Sequence, residues 1–478
     1  MRAATLKDGD KVRIMSAMTI GKDDPTSAET QRTLVILKAL QGDKETVNAP
    51  MFKRLWHPRI QIQPQICAVS GAIGNHNLNP SQQEALKTML SETDSLHLPL
   101  IIGPPGSGKT SVIARFVQMS VDLGRTVWVT AQSNVAVKNI ADRLARDGFW
   151  DWRLLVSKDF HNDWQDLYTN YRQKVVTTDN FPINKSELTR CLGGARVILC
   201  TLSMLSNKAL KEAGFVSRVP VESLVVDEAS QIDMGDFLPI IKLYSFRLKR
   251  VCFIGDDKQL APFGSDDIED LQSVFELKHL RDRALLLDTQ YRLPVAIGNF
   301  LSENVYGGLL RSVHELHGKN VCKFVNVETG KEQRGGTSTQ NLEEAKIAIL
   351  VAVNLFRSRQ KFKIITPYDA QRSLIEEALK SLRMPSTDIV FNVDSFQGNE
   401  EDYIILSLVR TEKLGFLANP RRSNVMLSRC RKGMVICTNK DFIESVARET
   451  LVGRLAEEWK DQKWYTSDEI KERSFVLF

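Results

Sequence analysis

The chain has 478 residues, and its 64 basic against 58 acidic side chains leave a formal net charge of +6. Hydrophobic content of 42% and aromatic content of 8% are those of a folded chain with room for roughly three domains, which excludes wholesale disorder. Apolar runs such as Leu100-Ile101-Ile102 and Leu224-Val225-Val226 are far shorter than the ~20 residues a membrane-spanning helix needs.

Taken in chain order, residues 1–77 show some alternation (Lys11-Val12-Arg13-Ile14-Met15) and few clear helices, so a small accessory region is expected. The first residues lack the apolar run of a secretory signal. From Leu78 onward, short β-rich runs alternate with amphipathic stretches. A first series lies at 98–102, 126–130, 196–200, 223–226 and 251–254. Ile113, Phe116, Val117 and Val121 mark one face of an intervening helix. Residues 147–190, rich in aromatics such as Trp150, Trp152 and Tyr171, are expected to form an insertion that packs rather than stacks on bases. A second series follows at 363–366, 389–393, 403–409 and 434–437, with a polar, glycine-containing loop expected at 330–340. A helical tail over 451–478, with Leu455, Trp459 and Ile470, should dock on a core. Near-continuous apolar strands alternating with helices predict α/β architecture with parallel sheets. Two tandem domains are expected, over 78–284 and 285–450.

Seven cysteines are scattered along the chain with no Cys-x-x-Cys. Reduced thiols in a cytoplasmic or nuclear protein are expected from this, not a disulfide framework or zinc site. The small basic excess suits either nucleic-acid binding or an ordinary surface.

The strongest local signal is Gly103-Pro104-Pro105-Gly106-Ser107-Gly108-Lys109-Thr110, which follows a predicted strand and opens a predicted helix. That context identifies a phosphate-binding P-loop. Its glycines let backbone N–H groups approach phosphate oxygens, and the helix N-terminus adds positive potential. Lys109 would reach the β- and γ-phosphates of a nucleotide, and Thr110 would ligate Mg²⁺, with Ser111 next in the helix. A later strand ends in Asp227-Glu228. Asp227 is placed to hold the metal and Glu228 to act as general base on the attacking water. A third strand runs into Gly255-Asp256-Asp257-Lys258-Gln259, where Gln259 is a candidate γ-phosphate sensor.

With those motifs in place, the chain resembles the up-frameshift-like group of superfamily 1 helicases over about residues 78–440. Leu78-Asn79-Pro80-Ser81-Gln82 resembles the Q motif, the P-loop is motif I, and Ala131-Gln132-Ser133-Asn134-Val135-Ala136-Val137 resembles motif Ia. Cys200-Thr201 resembles motif Ic, Asp227-Glu228-Ala229-Ser230-Gln231 is motif II, and Gly255 to Leu260 is motif III. In the second domain, Leu287-Asp288-Thr289-Gln290-Tyr291-Arg292 resembles motif IV and Ile365-Thr366-Pro367-Tyr368-Asp369-Ala370-Gln371 motif IVa. Motif V is seen in the run from Val393 to Asp402, including Ser395, Gln397 and Glu400, and motif VI in that from Arg421 to Arg431. Any one of these is degenerate; the ordered set is specific.

The resemblance implies two RecA-like domains and ATP hydrolysis with Mg²⁺ between them. Gln82 would bond the adenine edge, Tyr291 would stack on the ring, and Glu400 would lie near the ribose. Gln231 and Gln259 would sense the γ-phosphate, with Arg292 and Arg429 reaching across as arginine fingers. Single-stranded RNA or DNA would be the partner, travelled 5′ to 3′, with Ser133, Asn134, Thr201, Pro262, Tyr368 and Ser395 as contacts. Regulatory proteins are further expected partners; a membrane is not, and the chain is expected to be monomeric. Two positions depart from the family pattern: Lys138 stands where relatives often have an acid, and Cys430 where alanine is common. The short amino-terminal region leaves little space for an accessory barrel. The alternative is an ATPase clamp or scaffold that does not unwind processively. A small-molecule P-loop kinase would leave the second set of motifs unexplained.

Overall fold

The structure is a computed structural model that describes residues 27–57, 78–92, 95–158, 165–265, 268 and 270–472. The alternation expected at residues 11–15 lies outside them. Two parallel sheets organise the chain, bearing out the predicted fold class. The first has eight strands in the spatial order Val175–Thr177, Trp152–Val156, Val197–Thr201, Val127–Ala131, Ser223–Asp227, Arg250–Gly255, Leu100–Ile102 and Leu285–Leu286. The second has six, in the order Val390–Asn392, Phe362–Thr366, Glu401–Ser407, Cys430–Thr438, Cys322–Asn326 and Tyr465–Thr466.

Each sheet is covered on both faces, as crossover helices require. Side chains alternate across a strand, so Leu224, Val226 and Phe253 enter one apolar core while Val225, Cys252 and Ile254 enter another. The second sheet repeats this, with Ile404, Leu406 and Ile436 on one side and Ile405, Val435 and Cys437 on the other. Every strand pair within these two sheets is parallel, so the carboxyl ends of the first sheet's strands share one edge. Such an edge is where ligands of open α/β sheets bind. It carries Gly103, Ser133, Thr201, Asp227 and Asp256.

Several expectations change. The amino-terminal region holds three helices, Ser27–Leu40, Lys44–Asn48 and Pro50–Trp56, that dock on the first domain. Val35, Ala49, Met51 and Leu55 join its core, and Arg32 pairs with Asp233 (2.6 Å) and Asp236 (2.7 Å) just beyond Glu228. The helical period was hard to read because Leu34, Leu37 and Leu40 are exposed while Val35 is buried, so the leucine spacing marks the wrong face. Within 147–190, Trp152–Val156 and Val175–Thr177 are strands that extend the first sheet. Trp152 is buried edge-on to Tyr171 (5.3 Å between ring centroids) and donates its indole N–H to Phe149 O at 2.9 Å. The loop expected at 330–340 contains a short antiparallel hairpin, Gln333–Gly335 with Ser338–Gln340, turned through Gly336 at φ +62°. In the tail, Trp459 is buried against Phe300, and Leu455 and Ile470 are buried as expected. The six described cysteines are all free. No helix among the described residues is long and apolar enough to cross a membrane.

One core group is ionisable. Glu344 is fully buried, and its Oε1 accepts from Ser407 Oγ (2.7 Å) and from the backbone N–H of Val409 (2.7 Å). Burial pushes its carboxyl up to about 8, against the opposing pull of those hydrogen bonds. The folded state therefore holds a proton that the unfolded chain releases near pH 4.5. The stability this proton supplies is complete below pH 4.5 and is lost as pH rises to about 8, by up to about 1.4 kcal/mol per pH unit. Glu344→Gln, which copies the protonated form, should flatten this part of the pH dependence of chemical unfolding between pH 5 and 8.

Candidate active site

Leu100–Ile102 ends in the P-loop, and helix Lys109–Asp122 begins where Gly108 (φ +82°) turns the backbone left-handed. Such a turn favours glycine. Gly103 is required for a different reason: a Cβ there would lie 2.3 Å from Lys109 Cγ, because the lysine folds over it to donate from Nζ to Gly103 O at 2.8 Å. Pro104, Gly106, Ser107, Gly108, Lys109, Thr110 and Ser111 line a cleft of about 1050 Å³. Ser107 is buried, and its hydroxyl has no hydrogen-bond partner among the described residues. Ser111 Oγ accepts from Arg143 Nη1 at 2.8 Å.

Asp227 and Glu228 line the same cleft from the end of Ser223–Asp227, and both are buried. Burial and the adjacent Glu228 push the Asp227 carboxyl up to about 7, against the pull of Lys109. Glu228 itself adopts φ +50°, in the left-handed region. Its Oε2 accepts from Gln397 Nε2 of the second domain at 3.2 Å.

The third strand end is the hub of a buried network joining both domains. Asp256 Oδ2 accepts from Gln259 Nε2 (2.7 Å) and from the hydroxyl of Tyr306 (2.7 Å). Tyr306 in turn accepts from Asn424 Nδ2 at 2.9 Å, which also donates to Lys258 O at 2.8 Å. Arg429 Nη2 donates to Gln259 Oε1 at 2.5 Å, while its Nε donates to Val425 O at 2.8 Å. Burial, with Arg292 nearby, lowers the Arg429 guanidinium to about 10, which still leaves it charged at neutral pH. Arg292 pairs with Glu400 and donates from Nη1 to Ser428 O at 3.1 Å. Burial raises the Glu400 carboxyl, but the paired Arg292 and Arg431 outweigh it and hold it below the usual range.

The structure thus brings Lys109, Thr110, Asp227, Glu228, Gln259, Arg292, Glu400 and Arg429 to one cleft. Tyr291 stands at its mouth, 45% exposed, its hydroxyl accepting from Asn79 Nδ2 at 2.9 Å. The two remaining glutamines expected at this site differ in where they lie. Gln82 is buried, accepting from its own cap at Asn79 N (3.0 Å) and donating to Ser107 O (2.9 Å). Its amide braces the P-loop, and the side chain lines the cleft beside Tyr291. Gln231 does not line the cleft, because the chain turns away through Glu228 and the 3-10 turn Ala229–Gln231.

The nucleic-acid expectations divide. Ser133 and Thr201 cap the helices that follow their strands, accepting from Ala136 N (3.1 Å) and Met204 N (3.2 Å). Asn134 is half-buried beside Ser133, and Ser395 is exposed, donating to Asn392 O at 3.1 Å. Tyr368 is buried inside the second domain, edge-on to Phe416, with its hydroxyl accepting from Arg410 Nε (2.7 Å) and Phe416 N (3.2 Å). It has no open face for a base. Pro262 is buried too. Lys138 pairs with Asp142 one helical turn on, at 2.7 Å. Sequence reasoning assigned no role to Gln397, Tyr306 or Asn424. A polar residue after buried Phe396 and before Gly398 was the available signal for the first, and Tyr306 carried none.

AAA domain family models match residues 77–280 and 270–441. The chain is 28% identical over 492 residues to a "Regulator of nonsense transcripts 1 homolog" of Neurospora crassa, covering 90% of this chain and 44% of that protein. It is 29% identical to the "ATP-dependent helicase NAM7" of Saccharomyces cerevisiae over 88% of this chain and 47% of that one. The chain spans about half the length of these curated relatives. Among solved structures, an Arterivirus nonstructural protein 10 (helicase) in complex with DNA aligns with TM-score 0.41 and 16% identity, over 77% of this chain and 65% of that chain. The sequence matches bear out the resemblance to the up-frameshift-like group of superfamily 1 helicases.

Tyr306→Phe removes the hydroxyl that joins Asp256 to Asn424 and should cost about 1–3 kcal/mol of stability. Urea unfolding of the two proteins measures the difference.

Proposed function

We propose that this chain, up-frameshift-like by sequence, is an ATP-hydrolysing motor that moves 5′ to 3′ along single-stranded RNA or DNA and separates strands. One observation carries the reading: the guanidiniums of Arg292 and Arg429, from the second domain, line the same cleft as the P-loop of the first. The unpartnered Ser107 hydroxyl, beside left-handed glycines and Lys109, suits a phosphate. Thr110 and Asp227 would hold Mg²⁺, which when bound neutralises charge on the β- and γ-phosphate oxygens. An Asp227 carboxyl raised by burial is stabilised as the anion by a cation, which favours that donor set.

Glu228 would take a proton from the attacking water, Gln259 would sense the γ-phosphate, and Tyr291 would cover the adenine, with Glu400 near the ribose. Arg292 and Arg429 would neutralise charge that develops on the transferred phosphoryl group. Fingers of this kind are worth roughly 10³–10⁵ in rate. Because each domain supplies charges the other lacks, γ-phosphate favours closure and its loss removes that preference. Ser133, Asn134, Thr201 and Ser395 are the proposed contacts to the strand. A clamp that hydrolyses ATP without unwinding is the second reading, favoured by the buried Tyr306–Asp256 and Asn424–Lys258 bonds that already join the domains. Strand displacement on tailed duplexes separates the two: a motor releases product, whereas a clamp shows strand-stimulated hydrolysis alone.

Phosphate release with poly(U), poly(dT) or no polymer, across a salt series, tests the reading. Lys109→Ala should abolish turnover. Glu228→Gln should abolish it while ATP still binds. Arg429→Ala should cut kcat roughly 10³-fold or more with ATP affinity largely kept, and loss of binding at full turnover would contradict its role.

A further inference from the structure

We infer that Gln397, supplied by the second domain, is a positioning residue for hydrolysis: it holds Glu228 and, with it, orients the attacking water. This rests on the reading of Glu228 as general base. Three observations carry it. Gln397 is 8% exposed, and its amide Nε2 donates to Glu228 Oε2 across the domain boundary at 3.2 Å. A carboxylate only accepts, so the amide must present its N–H to Glu228 and keep its carbonyl oxygen for something else. That oxygen, Gln397 Oε1, is buried and has no hydrogen-bond partner among the described residues. Unpartnered buried acceptors are rare in folded proteins and call for an explanation such as a water or a catalytic role.

The loop that presents Gln397 is itself fixed. Gly398 turns at φ +81°, and its carbonyl accepts from Asn139 Nδ2 of the first domain at 3.1 Å. Glu228, for its part, sits in the left-handed region on a non-glycine residue, a conformation that persists when the surroundings enforce it. The bond from Gln397 is one such constraint on its side chain.

Gln397 Oε1 is sealed from solvent in this state, so a water bridging it and the Glu228 carboxylate would enter with the nucleotide; it would give one proton to each acceptor and keep a lone pair for phosphorus. Attack forms the new O–P bond at the γ-phosphorus and breaks the bond to the β–γ bridging oxygen, which leaves on ADP. The proton shared with Glu228 transfers to it and departs with inorganic phosphate. Glu228 alone could accept a proton, but two acceptors fix the direction of the nucleophile. The arrangement also makes the base conditional: Glu228 is fully positioned only when the motif V loop of the second domain is seated.

The test uses the full chain, ATP and poly(U) or poly(dT). Gln397→Met keeps the side chain's length and removes both polar groups; Gln397→Ala is the second variant, used if the first does not fold. Steady-state phosphate release should show kcat reduced roughly 10²-fold with KM for ATP within about twofold, the separation expected of a group acting on the chemical step. Gln397→Asn, which restores a shorter amide, should recover part of the loss. In a Glu228→Asp background, whose shortened carboxylate loses the amide's bond but keeps some turnover, Gln397→Met should cost little further, because the two act as a unit. A kcat within threefold of the parent, a loss confined to KM, or an additive loss in the double variant overturns the inference. If Glu228→Gln alone turns over near-normally, it is the general-base reading that fails, whatever Gln397 does.

Discussion

The contact on which the rest depends is the hydrogen bond between Arg429 Nη2 and Gln259 Oε1, at 2.5 Å. A guanidinium buried this deeply must be compensated by its surroundings, because removing a charge from water is costly unless it is paired and bonded. Arg429 meets the carbonyls of Val425 and Asn399 from its own domain and the amide of Gln259 from the other. Gln259 is in turn held by Asp256, and Asp256 by Tyr306. Two links of this chain, Arg429 to Gln259 and Tyr306 to Asp256, cross from one lobe to the other, so the cleft is a property of the pair of domains and of neither alone.

That dependence explains what the sequence disclosed and what it hid. All nine strands predicted from apolar runs are present, since a strand buried on both faces, such as Ser223–Asp227, announces itself by unbroken hydrophobicity. The strands that escaped notice lie in less regular sequence. Trp152–Val156 follows an aromatic tract, Val175–Thr177 and Tyr465–Thr466 are short, and Cys322–Asn326 is interrupted by Lys323. The P-loop and the Asp227-Glu228 pair were legible because glycine spacing and strand-end carboxylates are local patterns. Tyr306 was not: nothing local to it shows that its hydroxyl crosses to another domain's aspartate.

Gln82 and Tyr368 show the same dependence from the other side. Gln82 carries the expected amide and lines the cleft, with one bond from Oε1 to its own cap at Asn79 and one from Nε2 to Ser107 O, which fix how that amide is aimed. Tyr368 has a ring of the kind that stacks on bases, yet Arg410 and Phe416 already occupy its hydroxyl, and the ring is buried. A motif assigns residue types to positions; whether a polar atom or an aromatic face remains available is decided by burial and by partners distant in sequence.

Gly106 binds these themes together. It takes φ +72°, and a Cβ placed there would fall 2.5 Å from the Cβ of Arg292. The missing methyl therefore does two jobs at once, freeing the turn of the phosphate loop and setting how near the opposite lobe can come. A single added carbon would act twice, straining the turn of the phosphate loop and wedging Arg292 away from it.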